Sequence, residues 1–278
     1  MIETSTKEAV RTYWERETCG TRYANDPDRS RYFDEVSAAR YRLEPYIPGF
    51  ANFPSAAGKR MLEIGVGAGS DFENWCQHAA HATGVDLTDR AIQLTGERLA
   101  VHGVDRSKYT LQRADAENLP FTDESFDLVY SWGVLLCAPD IARAFREVRR
   151  VLKPGGTFKG MIYHVPSWTG LLLWAQHGLL TGRPWRSAKE ILYNHLESPG
   201  TQAFTVDEGR ALLEQTGYRD IRISTSLNPG DMMEIDPSHK YTSFMRGVFL
   251  TVKSLYPRWF VRLLGDRYGL NLMFEATK

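Results

Sequence analysis

The amino-acid sequence predicts an α/β protein built on a doubly wound, mostly parallel sheet with an added helical cap. Three observations predict it. Between residues 58 and 164, short apolar runs alternate with stretches of helical spacing, which is the pattern of βαβ units. The runs 62–64 and 128–130 are nearly continuous in apolar character, as expected of strands covered by helices on both faces. A glycine-rich turn follows the first of these runs and opens a helix.

The elements are expected in the following order. Residues 1 to about 57 form a polar and aromatic arm with helical spacing at 7–16 and 30–46, ending in the loop Phe53-Pro54-Ser55-Ala56-Ala57-Gly58. A buried strand at 60–65 leads into the glycine turn and a helix. Then come strand 81–86, helix 89–102, strand 109–113, strand 126–131, helix 141–151 and strand 156–164. Lys153-Pro154-Gly155-Gly156 closes the last helix, because proline cannot continue it and glycine tolerates the turn. Further on, 204–218 reads as a helix closed by Gly217 and leading to strand 220–227, and 270–276 alternates like a strand.

Composition narrows the function classes. The chain has 278 residues, 42% hydrophobic and 24% charged, which suits a globular enzyme of one elaborated domain. Its formal net charge is zero, without the basic stripe of a nucleic-acid binder. The polar, mixed-charge start does not read as a signal peptide, and the most apolar stretch, 171–180, is broken by Gln176 and His177 and too short to span a bilayer. Cys19, Cys76 and Cys137 are far apart with no CxxC pair, so neither a disulfide framework nor a cysteine-built metal site is expected. The expectation is a cytoplasmic protein without stable membrane insertion and without a metal.

The informative string is Met61-Leu62-Glu63-Ile64-Gly65-Val66-Gly67-Ala68-Gly69-Ser70-Asp71. Gly65, Gly67 and Gly69 let the backbone pass close beneath a bound nucleoside, which by itself fits NAD, FAD, S-adenosylmethionine or a plain tight turn. Two acids lean away from a dinucleotide. Glu63 precedes the first glycine, and Asp71 stands at the start of the next helix, where a carboxylate would repel a pyrophosphate or simply cap the helix. About twenty residues on, Asp86 at the tip of the second strand is placed to accept from ribose hydroxyls, which fits NAD and S-adenosylmethionine equally.

Three further strings follow in order: Ala114-Asp115-Ala116-Glu117-Asn118-Leu119-Pro120-Phe121, Phe126-Asp127-Leu128-Val129-Tyr130-Ser131-Trp132 and Val151-Leu152-Lys153-Pro154-Gly155-Gly156-Thr157-Phe158. With the glycine turn, they make roughly residues 58–164 resemble the ubiquinone/menaquinone-type (type 11) branch of the class I S-adenosylmethionine-dependent methyltransferases. The resemblance implies a Rossmann-like, seven-stranded sheet whose last strand, 270–276, is antiparallel. It implies S-adenosylmethionine as cofactor and S-adenosylhomocysteine as product. Glu63, Gly65, Gly67 and Gly69 would hold the methionine moiety, Asp86 the ribose, and Leu87 would pack on the adenine. Asp115, with the backbone of Ala116 and the neighbouring Glu117, would read the adenine. Ser131 and Trp132 would border the methyl group, and Tyr13, in the N-terminal helix, would either cover the cofactor or reach a neighbouring subunit.

The sequence departs from the family at Gly133-Val134-Leu135-Leu136-Cys137-Ala138-Pro139, where many relatives carry a histidine pair. Catalytic candidates are instead Tyr163 and His164 at the end of the fifth strand, with His195 and Glu197 behind them. Two insertions, about 165–203 and 228–266, leave from strand carboxyl ends and are expected to cover the cofactor. They hold Trp168, Trp174, Trp185 and Trp259, which point to an apolar substrate or to a lid packed on itself or on another subunit. Arg246, Lys253, Arg258 and Arg262 give the second insertion a basic amphipathic character, the mark of a solvated face or of contact with a membrane surface. The expected function is transfer of methyl to carbon or oxygen of a small apolar metabolite, an isoprenoid or other secondary metabolite. The alternatives are a non-methylating enzyme on this fold and a nucleic-acid methyltransferase.

Overall fold

A computed structural model describes residues 2–198, 200–234 and 250–278. Eight strands form one sheet: β1 Arg60–Ile64, β2 His81–Asp86, β3 Tyr109–Arg113, β4 Phe126–Trp132, β5 Leu152–His164, β6 Ala203–Phe204, β7 Arg219–Ser226 and β8 Asn271–Thr277. Their order is β3-β2-β1-β4-β5-β8-β7, with the two-residue β6 paired to the end of β5. This short strand makes the count eight rather than seven. All pairings are parallel except those of β8, which runs antiparallel to β5 and β7. The chain winds one way from β1 through β2 to β3 and then the other way from β4, so a crevice opens between the carboxyl ends of β1 and β4.

Helices cover both faces. On one, α6 (Ile141–Val151) buries Phe145 and Val148 against Phe158 and Phe274. On the other, α4 (Ser70–His78) and α5 (Asp89–Val101) bury Phe72, Trp75 and Leu99 with Met61 and Tyr130. The starts of these helices are written locally. Thr88 caps α5, Asp140 caps α6, and Thr205 with Glu208 forms a capping box on the helix Val206–Gln215. At α4 the cap is Gly69 in the left-handed conformation, φ 81°, and Asp71 lies inside the first turn, so Asp71 is not the cap. β5 begins at Leu152, four residues before the expected start. Phe126 pairs with Leu152 and Leu128 with Thr157, so the intervening glycines form a bulge within the sheet.

The arm lies along the carboxyl edge of the sheet. Of its helices α1 (Ile2–Arg16), α2 (Arg29–Leu43) and α3 (Ile47–Ala51), the first two reach the core through charged contacts: Lys7 with Asp115, and Arg40 with Asp71. The insertions pack on each other. Trp168 meets Phe260 and Tyr268 edge-on at 6.3 and 6.2 Å, Trp174 donates to the Arg186 carbonyl, and Trp185 and Trp259 are 77% and 72% exposed. Arg258 donates to the Met232 and Met233 carbonyls, while Arg246 lies outside the described residues. No described helix is long and apolar enough to cross a membrane, and no group of three His, Cys, Asp or Glu among the described residues is placed to hold a metal.

Candidate cofactor and acceptor site

A cavity of about 500 Å³ fills the crevice beneath the arm. At the tips of β1, β2 and β3 it is lined by Glu63, the turn from Gly65 to Gly69, Asp86, Leu87, Asp115 and Ala116. The turn depends on glycine: Gly65, Gly67 and Gly69 have φ of 86°, 54° and 81°. A Cβ on Gly65 would stand 2.1 Å from Val134 Cγ2, so the turn is also pressed against the loop after β4. Gly65→Ala is expected to cost about 2–3 kcal/mol from strain and overpacking, read in urea unfolding, with cofactor binding lost in parallel.

Glu63 is buried, and its Oε2 has no hydrogen-bond partner. Burial, with Asp71 nearby and Arg40 opposing, pushes its carboxyl well above the usual range. An ammonium donor would satisfy that oxygen and favour the charged form, so the residue fits the amino group of a bound methionine moiety. Asp86 is organised by its neighbours: Oδ2 accepts from Gly67 N at 3.2 Å, and Oδ1 from Thr88 N and Oγ1 at 3.0 and 2.8 Å. Burial raises its pKa, and these bonds hold the carboxylate against it. The carboxylate faces the cavity with lone pairs left for ribose hydroxyls.

At the adenine end, Asp115 accepts from Lys7 Nζ at 2.8 Å and from Glu117 N at 2.9 Å. Burial disfavours the Lys7 ammonium, but its bonds to Asp115 and Glu117 outweigh that and raise its pKa. Glu117 does not line the cavity. Its carboxylate is taken by Lys7 and by Asp140 N, so it positions Asp115 and α6 rather than touching a ligand. Ser131 is likewise turned away, donating to the Ile64 carbonyl at 3.0 Å and fastening β4 to β1. Asp71 does line the cavity, but Arg40 grips it in a two-pronged pair and Tyr41 and Tyr130 donate to it. Its charge is thereby neutralised, so repulsion of a pyrophosphate at this helix start is not the reason to exclude a dinucleotide.

Beyond the turn, the cavity continues under the tips of β4, β5 and β8, lined by Trp132, Met161, Tyr163, Glu197 and Asn271. Tyr13 and Trp14 of α1 close it from above, in edge-to-face contact at 5.1 Å. Tyr163 is buried, with the Glu197 carboxyl close to its hydroxyl. His164 points the other way, as strand alternation requires, with Nδ1 2.9 Å from the Gly269 carbonyl and a pKa lowered by burial. His195 is exposed, its ring stacked 4.0 Å from that of His177. Neither histidine reaches the cavity. Nor do the four tryptophans of the insertions, whose contributions among the described residues are Thr169, Leu196, Glu197 and the turn 228–230.

Sequence reasoning missed Lys7, Arg40, Glu44 and Asn271. Glu44 Oε1 accepts from Trp132 Nε1 and Asn271 Nδ2, both at 3.2 Å, and Asn271 Nδ2 also donates to Tyr46 Oη at 2.8 Å. No local pattern marks a contact 227 residues apart in the chain.

Known proteins are similar to this chain in sequence and in fold. A family model described as a methyltransferase domain matches residues 62–159. Over 103 residues the chain is 43% identical to the phthiotriol/phenolphthiotriol dimycocerosates methyltransferase of Mycobacterium tuberculosis, covering 36% of each protein. Over 146 residues it is 33% identical to the 27-O-demethylrifamycin SV methyltransferase of Amycolatopsis mediterranei, covering 50% of this chain and 53% of that one. The chain thus spans about a third to a half of the length of these relatives. In fold it is similar to the geranyl diphosphate C-methyltransferase of Streptomyces coelicolor A3(2), with a TM-score of 0.63, 16% identity, and coverage of 98% of this chain and 97% of that one. Residues 62–159 therefore match a methyltransferase domain, on a fold similar to that of a C-methyltransferase.

Proposed function

We propose that the protein transfers the methyl group of S-adenosylmethionine to a small, largely apolar metabolite held beneath the arm and the two insertions. The observation that carries this reading is one continuous cavity with two unlike ends. One end holds the unpartnered Glu63 oxygen, the glycine turn and Asp86, and the other is walled by Trp132, Met161 and Tyr163. S-adenosylmethionine supplies a methyl carbon on a cationic sulfur. The chain's own part is to hold the methionine end on Glu63, the ribose on Asp86 and the adenine between Leu87, Asp115 and Ala116. Trp132 borders the reacting centre, and Tyr13 and Trp14 exclude water, which in-line transfer requires. The arm 1–57 acts as the cover, and the described residues of 165–203 and 228–266 form the cap. Two relatives take their names from dimycocerosates and from a demethylrifamycin, which favours a small-molecule acceptor over nucleic acid.

The test is incubation with methyl-labelled S-adenosylmethionine and a panel of hydroxylated polyketides, lipids and isoprenoids beside tRNA. Label is expected in a small molecule. Label in tRNA alone would select the nucleic-acid reading. Cofactor binding without transfer to any acceptor would select a non-methylating enzyme.

A further inference from the structure

We propose that the acceptor presents a hydroxyl to Tyr163, Glu197 and Asn271, and that Glu197 takes its proton as the methyl group moves to oxygen. The proposal rests on the methyltransferase reading above and adds the chemical class of the acceptor and the identity of the base.

Sheet register brings these groups together. Trp132 pairs with Met161 across β4 and β5, and Tyr163 pairs with Asn271 across β5 and β8. Paired residues share a face, so Tyr163 and Asn271 stand side by side, two residues along β5 from the pair that borders the cofactor end. Glu197 comes down from the first insertion onto the Tyr163 hydroxyl.

Asn271 is the sharpest of the three observations. It is fully buried and lines the cavity, and its amide nitrogen is spent on Glu44 and Tyr46. Because Glu44 accepts, the nitrogen must face it, which leaves Oδ1 toward no partner. A buried carbonyl oxygen with nothing to accept from calls for a donor in the bound state. An alkene has none, whereas a hydroxyl has one.

Among the other carboxylates lining the cavity, Glu17 is exposed on the arm and the rest have assigned work. Glu63 and Asp86 serve the cofactor, Asp71 is held by Arg40, Asp115 by Lys7, and Glu44 by Trp132 and Asn271. Glu197 keeps an oxygen free for chemistry. The groups facing it are Tyr163 of β5, Glu44 at the end of α2, Arg22 and Cys19 between the arm helices, Tyr13 of α1 and Cys137 after β4. Burial pushes the Glu197 carboxyl up to about 7, with the nearby Tyr163 hydroxyl and Arg22 opposing and Glu44 reinforcing. A base that titrates near neutrality is ionised often enough, and basic enough, to accept a hydroxyl proton. In the step, the hydroxyl oxygen forms its bond to the methyl carbon while the sulfur–methyl bond breaks, its electron pair remaining on the now neutral sulfur. The hydroxyl proton passes to Glu197, which later releases it to solvent.

The first arm of the test is calorimetric binding of 2-naphthol and of its methyl ether, 2-methoxynaphthalene, to the full chain saturated with S-adenosylhomocysteine. The naphthol is expected to bind at least tenfold more tightly, and Asn271→Leu to erase the difference. Equal binding, or binding of neither, would overturn the hydroxyl subsite. The second arm uses an acceptor from the label-transfer panel. Its product should carry the methyl on oxygen, and Glu197→Gln should lower kcat about a hundredfold with KM little changed. In the native protein kcat should fall as pH drops through about 7, because the base is then protonated, and Glu197→Gln should lack that limb. A methyl on carbon, or an unaltered pH profile in Glu197→Gln, would sink the proposal. Failure of S-adenosylhomocysteine to bind would instead strike at the cofactor reading, and the naphthol comparison, run on the free protein, still decides the subsite.

Discussion

Asp86→Ala is expected to weaken S-adenosylmethionine binding about a hundredfold while the protein stays folded. The carboxylate has two duties. Toward the protein it accepts from Gly67 N and from both donors of Thr88, which fixes the second glycine of the turn to the end of β2. Toward the cavity its remaining lone pairs would accept from a ribose. Hydrogen bonds to a charged group contribute roughly 1.5–3 kcal/mol each, so losing the ribose pair alone removes about 3 kcal/mol, close to two decades in Kd. Asp86→Asn keeps one oxygen for Thr88 but sets an amide N–H against both Gly67 N and the ribose position, so it should bind poorly and loosen the turn as well. Calorimetric titration of both variants with S-adenosylmethionine and S-adenosylhomocysteine, beside thermal unfolding, checks this. Unchanged affinity in Asp86→Ala would remove Asp86 from the site and with it the orientation of the cofactor.

How much of this site was legible in the sequence follows from how local each part is. The glycine turn, Asp86 and the helix caps sit within a few residues of what they contact, so their meaning survives in a linear string. Tyr163 and His164 show where the string stops. A strand alternates its side chains, so only one of two neighbours can face the cavity, and the pairing of Trp132 with Met161 decides for Tyr163. The insertion tryptophans were misleading for a different reason. Counting aromatic residues in a segment says that something is covered but not which way the rings turn, and here Trp168 turns to Phe260 while Trp185 and Trp259 turn to solvent. Arg40 on Asp71 and Glu44 on Asn271 depend on the path of the arm over the sheet, which no periodicity encodes. β6, at two residues, is too short to leave a pattern.

Arg98→Ala should produce the largest loss of stability in the molecule, on the order of 3–5 kcal/mol, and should weaken the cofactor end as a consequence. Arg98 lies on α5 and is fully buried, and all five of its N–H donors are used. Nε donates to the Ala68 carbonyl at 2.7 Å. Nη1 donates to Ser37 Oγ and Glu73 Oε2, and Nη2 to the Phe33 carbonyl and Ser70 Oγ. Its plane also lies over the Phe33 ring, 4.9 Å from the centroid. One guanidinium therefore ties together α2 of the arm, the glycine turn and the start of α4. Burial lowers the Arg98 pKa and Glu73 raises it, which makes Glu73 the partner that compensates the buried charge. Truncation would leave Glu73 with His102 as its remaining partner on that side, and would strand the Ala68 carbonyl in the interior. At roughly 2–4 °C per kcal/mol for a domain of about this size, the melting temperature should fall by about 10 °C. Arg98→Lys separates charge from geometry. It keeps the cation against Glu73 but has three donors on a single nitrogen, which cannot reach both sides of the fork. If the fork is what holds the arm, Arg98→Lys should lose most of the stability that Arg98→Ala loses, and both should bind S-adenosylmethionine less well through a loosened turn. If charge balance alone mattered, Arg98→Lys would melt close to the native protein, and the arm would owe its position to packing of Phe33 and Val36 instead.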